Sequence, residues 1–180
     1  MTLTGKKVAI LVEEGYEDLE FWYPRYRLKE EGAEVVVAAP EKKEYKSKHG
    51  YPAQPDVKAS ELKPNDFEAV VIPGGTICGD RLRRPKEILD FVRKMDDADK
   101  PVAAICHAPW VTISAGIVKG RAMTSFFSLK DDCANAGAKW IDKEVVVDGN
   151  LITSRNPEDL PAFCRAIIGA LSREEGGPRT

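Results

Sequence analysis

No excess of positive charge marks this sequence. Twenty-seven lysines and arginines stand against 29 acidic residues, a formal net charge of −2, so the basic field that phosphate backbones require is missing and nucleic acid is not expected as a partner. No apolar run approaches the ~20 residues that cross a bilayer, and Met1–Lys7 leads into a strand-like segment without the apolar core of a signal peptide. A cytoplasmic protein without a membrane partner is the expectation. Histidine is scarce: His49 and His107 stand alone, with no ligands at metal-binding spacing, so neither a metal nor another cofactor is expected. The four cysteines, Cys78, Cys106, Cys133 and Cys164, form no CxxC pair and are read as reduced. Glycine and proline, 14 and 12 residues, are scattered, which excludes collagen and low-complexity disorder. What remains is 180 residues with 43% apolar and 31% charged side chains. That suits one domain, expected over 1–172 with a frayed tail at 173–180.

Apolar runs rich in β-branched residues read as central strands at Lys7–Val12, Glu34–Ala39, Phe67–Ile72 and Pro101–Ile105. Between them, apolar residues near helical spacing predict helices over Asp18–Glu31, capped by Gly32 and irregular or kinked at Pro24, and over Pro85–Met95 with Ile88, Leu89 and Val92 inward. A helix from about Trp110 to Ala115, ended by Gly116, follows the fourth strand, and another begins at Ser128 and ends at Gly137. Glu144–Val147 and Leu151–Thr153, joined through Asp148-Gly149-Asn150, read as a hairpin, and Pro157–Leu171 as the last helix. Pro40–Asp56 has no period and reads as an exposed loop or hairpin. Alternating strands and helices with a late β-hairpin give the expected fold: α/β, a flavodoxin-like three-layer α/β/α sandwich with a mostly parallel central sheet.

In such sheets the site lies at the carboxyl ends of the strands. Three loops then converge: Glu13–Glu17, Pro73–Gly75 and Cys106–His107. Cys106 sits between an apolar strand and a helix, where free backbone N–H groups and the helix dipole favour a thiolate, on a turn of the nucleophile-elbow kind. His107 beside it is placed to serve as a base. Gly74 and Gly75 let backbone approach a ligand closely, and N–H groups there can face an oxyanion. Among the acids, Glu17 is singled out, since its loop can carry a carboxylate over the neighbouring strand ends.

These residues resemble the PfpI-type intracellular peptidases of the class I glutamine amidotransferase-like superfamily. The likeness runs through Glu17-Asp-Leu-Glu20, Tyr23-Pro-Arg-Tyr-Arg-Leu-Lys-Glu-Glu-Gly32, His49-Gly-Tyr51, Val71-Ile-Pro-Gly-Gly75, Ala104-Ile-Cys-His107, Lys119-Gly-Arg121 and Val145-Val-Val-Asp-Gly-Asn150. The resemblance implies Cys106 as nucleophile, His107 as the adjacent histidine and Glu17 as the buried acid bonded to the sulfur. It implies an oxyanion hole from the N–H groups of Gly75 and His107, and a pocket lined by Gly74, Trp110 and Phe126. Asp80 matches an acid that completes a triad in a neighbouring subunit, which implies a homo-oligomer, dimer or hexamer. Two departures stand out: Thr76-Ile-Cys-Gly79 replaces a shorter loop that usually ends in proline, and Phe126 stands where tyrosine is frequent. A late Asn156-Pro157-Glu158 replaces the His-Pro-Glu of true amidotransferases, which argues against glutamine hydrolysis.

Two functions follow. One is a cysteine-dependent hydrolase or lyase acting on a small carbonyl compound or peptide, with peptidase, glutathione-independent glyoxalase or protein deglycase activity. The other is an oxidation-sensing stress-response or chaperone-like binding protein using the same cysteine.

Overall fold

The computed structural model of the chain describes residues 1–172; the tail expected at 173–180 lies outside the described residues. The opening apolar run forms β1 (Lys7–Leu11), followed by α1 (Asp18–Glu30) and β2 (Glu34–Ala39). The aperiodic stretch after it folds as a short hairpin, β3 (Tyr45–Lys46) with β4 (Pro52–Ala53), before β5 (Val57–Lys58). Then come β6 (Ala69–Ile72), α2 (Thr76–Leu82), α3 (Lys86–Asp97), β7 (Val102–Ile105) and α4 (Pro109–Ala115). The chain continues through β8 (Ala122–Met123), α5 (Lys130–Asn135), β9 (Lys139–Trp140), β10 (Val145–Asp148), β11 (Leu151–Ser154) and α6 (Leu160–Leu171).

Seven strands form the central sheet in the order β10-β11-β7-β6-β1-β2-β5. All neighbours are parallel except β10 against β11. Every residue of β6 and β7 is buried, because helices cover both faces of a parallel sheet and its central strands must be apolar throughout. Helices α1 and α6 pack together on one face, and α2, α3 and α4 on the other. The result is the flavodoxin-like α/β/α sandwich, with the core strands in the order 2-1-3-4-5 of that fold. The chain leaves β1 toward β2 and later returns on the other side of β1 as β6. That reversal opens a crevice at the carboxyl ends of β1 and β6, next to the end of β7.

Local structure follows the sequence with instructive exceptions. On α3, Ile88, Phe91, Val92 and Met95 are buried, an i, i+3, i+4, i+7 face in which each fully buried side chain contributes about 1.5–3 kcal/mol. Leu89 lies at its margin, half-buried. Helix α1 runs through Pro24 without interruption, with Glu20, Phe21, Pro24 and Leu28 on its buried face. Helix α2 arises where a loop was expected. The 40–56 stretch is less exposed than its composition suggests: Tyr45 and Ala53 are buried, and Ser47 bridges to Tyr16 in the loop after β1. The predicted hairpin forms, pairing Asp148 with Leu151 across Gly149 and Asn150. No described helix is long and apolar enough to cross a membrane.

Candidate active site

At the end of β7 the chain turns sharply into α4, and Cys106 occupies the turn with φ of +64°, a conformation rare for a residue with a side chain. Such strain costs on the order of 1–3 kcal/mol and persists only where the surroundings over-determine it. They do so here. The Cys106 N–H donates to the Ser154 carbonyl at 3.0 Å, its own carbonyl accepts the Phe126 N–H at 2.9 Å, and the Ala108 N–H closes the turn onto the Ile105 carbonyl at 3.0 Å. The sulfur is lifted above the sheet edge, where the backbone N–H groups of Gly75 and His107 face it. His107 Nδ1 lies 3.2 Å from Sγ.

The acid beside the sulfur is Glu20. Its carboxyl is directed at Cys106, and its Oε2 accepts the Gly74 N–H at 2.9 Å. Glu17, expected in this role, does something else: its Oε2 caps α1 by accepting the Glu20 N–H at 2.9 Å, and its own N–H donates to the Gly74 carbonyl at 3.1 Å. The reason is helical geometry. A side chain at the N-cap folds back over the first turn to satisfy a free N–H, whereas Glu20, four residues before Pro24 and eight before Leu28, stands on the stripe that faces the sheet. The sequence reading missed Glu20; the signal that could have found it is an acid on the otherwise apolar face formed with Phe21, Pro24 and Leu28.

Glu20 is fully buried, and its Oε1 has no hydrogen-bond partner. Burial, then the charge of Glu17, pushes its carboxyl up to about 8. The Cys106 thiol is also pushed up, by burial first and by the Glu20 charge second. This runs against a thiolate produced by the helix terminus alone, since the sulfur is largely withdrawn from water and α4 spans only seven residues. The two groups behave as a pair. When the proton resides on Glu20, the acid carries no charge to repel a thiolate, and its O–H joins the two N–H groups around the sulfur. Burial, and then the charge of Lys48, lowers the His107 imidazole, which keeps it neutral.

Both glycines are required by close approach. A Cβ on Gly74 would lie 2.5 Å from Glu20 Oε2 and 2.7 Å from Cys106 Cβ. At Gly75, φ is +92° and a Cβ would meet the Gly15 carbonyl at 2.4 Å. Phe126 stacks on the His107 ring at 4.9 Å between centroids, and Trp110 meets it edge-on at 5.3 Å. Trp110 is anchored by its Nε1 donating to Asp132 Oδ2 at 2.8 Å. Asp80 does not join the cluster within one chain. It lies on α2, half-exposed, and pairs with Arg84. Thus Cys106, His107, Gly74, Gly75, Trp110 and Phe126 come together as expected, Glu20 replaces Glu17, and Asp80 stands apart. Among the described residues no group of three or more His, Cys, Asp or Glu side chains is placed to hold a metal ion.

Comparison with known proteins places the chain in a family. The DJ-1/PfpI family matches residues 6–170. The chain is 46% identical over 165 residues to Deglycase PfpI of Pyrococcus furiosus, covering 92% of this chain and 99% of that protein. A two-domain protein of Anabaena variabilis, containing DJ-1/ThiJ/PfpI-like and ferritin-like domains, superposes with a TM-score of 0.91 at 43% identity, over 97% of this chain and 50% of that one. Drosophila melanogaster DJ-1beta superposes with a TM-score of 0.88 at 30% identity, over 94% and 92% of the two chains. On fold, sequence and family match alike, the chain belongs to the DJ-1/PfpI family.

Proposed function

We propose that the chain is a cysteine-dependent hydrolase or lyase of the PfpI type, in which Cys106 adds to the carbonyl of a small carbonyl compound, a glycation adduct or a peptide. One observation carries the reading: a cysteine held at φ +64° with its sulfur among two backbone N–H groups, a buried acid and a histidine. The name deglycase borne by the Pyrococcus furiosus relative and by a Thermococcus kodakarensis relative, 47% identical over 165 residues, supports carbonyl adducts as substrates.

With the shared proton on Glu20, the thiolate attacks the carbonyl carbon. A C–S bond forms, and the carbonyl π electrons move to oxygen, whose charge the Gly75 and His107 N–H groups stabilise. In a 2-oxoaldehyde the neutral His107 then takes the proton from the carbon bearing sulfur and returns it to the neighbouring carbon, giving a thioester of a 2-hydroxy acid. Water cleaves that thioester, the acid leaves, and the sulfur is regenerated. In a peptide or acyl adduct the amine departs instead, taking the proton that the thiol gave up to Glu20 and that His107 relays, before the same hydrolysis. Asp80 belongs to this proposal through assembly: a second copy that brings His107 near Asp80 would supply the orienting carboxylate.

The test is turnover of methylglyoxal, glycated amino acids and chromogenic peptides by wild type and Cys106→Ser. Loss of all activity in a folded variant supports the reading; retained activity removes it. A second reading, an oxidation sensor, draws on the same donor set, since three groups able to donate around one sulfur also suit a sulfinate. Peroxide that oxidises Cys106 and creates partner binding, without any turnover by the reduced protein, would favour it.

A further inference from the structure

A run of stacked rings leads from His107 to solvent. The half-buried Phe126 lies on the imidazole at 4.9 Å between centroids, and Phe127 continues outward, its ring 4.8 Å from that of Phe126 and tilted by 45°. Phe127 is 73% exposed. Apolar side chains scattered singly on a surface call for no explanation, but this one extends a stack that begins at the histidine beside the nucleophile.

The segment that carries both rings is pinned from several sides. The Thr124 N–H donates to Thr153 Oγ1 at 2.9 Å, the Phe126 N–H to the Cys106 carbonyl at 2.9 Å, and Ser125 Oγ accepts the Trp140 Nε1–H at 2.9 Å. Phe127–Leu129 then forms a single 3₁₀ turn, which the Leu129 N–H closes onto the Phe126 carbonyl at 3.0 Å. Leu129 is buried, and with three residues per turn the position two before it points away from the core. Phe127 therefore faces outward because its neighbour is anchored inward. Two charged side chains close by in sequence are engaged elsewhere: Lys130 Nζ lies 5.7 Å from the centre of the Trp140 ring, and Asp132 accepts the Trp110 Nε1–H.

We infer that Phe127 is the outer wall of an aromatic subsite, shared with Phe126, which selects substrates bearing an aromatic side chain on their amine part. In the proposed reaction the departing amine receives its proton through His107, so that part of the substrate lies on the His107 side of the sulfur, from which the rings extend. A ring fixed on a short, bonded turn offers tilted or offset stacking without the cost of ordering a loop. The choice of the amine part rests on the proposed function; the subsite itself does not.

Two measurements separate them. The first is alkylation of Cys106 by N-benzyl-iodoacetamide and by N-methyl-iodoacetamide, followed by peptide mapping and by sedimentation of each variant. With either reagent the sulfur displaces iodide, so changes in thiolate content cancel in the ratio of rates and the substituent's effect remains. Phe127→Ala is expected to lower the benzyl-to-methyl ratio about threefold to tenfold. Phe127→Tyr keeps the wild-type ratio, and Tyr26→Ala, which removes an exposed ring from α1, leaves it unchanged. An unaltered ratio in Phe127→Ala overturns the subsite whatever the turnover data show. A fall in the ratio that accompanies dissociation of an oligomer overturns it too, since the ring would then be a contact between subunits. The second measurement compares methylglyoxal adducts of phenylalaninamide and of alaninamide. Wild type is expected to favour the phenylalaninamide adduct through KM, and Phe127→Ala to lose that preference. Equal KM values in wild type, beside a shifted alkylation ratio, would overturn the placement of the amine part. A shifted ratio with neither adduct turned over would keep the subsite and reject the carbonyl chemistry.

Discussion

Glu20 and Cys106 share one nearly sealed compartment: the carboxyl of the first, fully buried, faces the sulfur of the second, with Gly74 packed between them so tightly that a Cβ there would overlap both. His107 Nδ1 lies 3.2 Å from the same sulfur, and the Phe126 ring stacks on the His107 ring.

Replacing Glu20 with Gln keeps the shape and removes the ionisable partner. Alkylation of Cys106 across pH is expected to change from a two-step profile, whose upper step reflects the coupled pair, to a single step. Turnover should fall about 100-fold, within the range that a positioned acid contributes. A Glu17→Gln variant is expected to keep the two-step profile with the Glu20 step moved to lower pH, since it leaves the pair intact and removes only a neighbouring charge.

Stability should fall as pH rises from about 4.5 toward 8. The Glu20 carboxyl is pushed up to about 8 from an ordinary 4.5, so across that window the folded state keeps a proton that the unfolded chain has released. Stability therefore decreases with pH until the folded group also ionises, and then levels off. Urea denaturation of wild type and Glu20→Gln at several pH values isolates this contribution, because the variant lacks the slope.

Gly74, Gly75 and Gly120 offer a graded series. Gly75→Ala combines φ +92° with a backbone oxygen 2.4 Å from the new Cβ, and is expected to cost at least ~3 kcal/mol. Gly74→Ala should cost ~2–4 kcal/mol by displacing Glu20 and Cys106. Gly120 has φ +80° with open space around it, so Gly120→Ala should cost only about 1 kcal/mol. Denaturant midpoints check the order.

Phe126→Ala removes the ring stacked on His107. Loss of that support is expected to lower kcat about tenfold, the effect of a slightly misplaced catalytic group. Thermal unfolding should show the fold retained. Phe126→Tyr, which keeps the ring, should hold kcat and alter KM for substrates able to accept a hydrogen bond.

Short-range patterns carried much of this protein's reading. Apolar runs such as Val102–Ile105 are strands because no amphipathic helix could bury four consecutive apolar residues so completely. The elbow at Cys106 and the glycines at 74 and 75 were legible because strand-to-helix turns and close backbone approach restrict residue type locally. Three features were not. Helix α2 has no apolar stripe long enough to announce itself in seven residues. The choice of Glu20 over Glu17 depended on which side of α1 meets the sheet, and the 40–56 stretch was drawn to the loop after β1 only when Ser47 paired with Tyr16, 31 residues away. Strand, turn and cap preferences are properties of neighbouring residues and so are written in the chain. Which carboxyl loses its water depends on contacts between distant segments, and these exist only after the sheet has assembled.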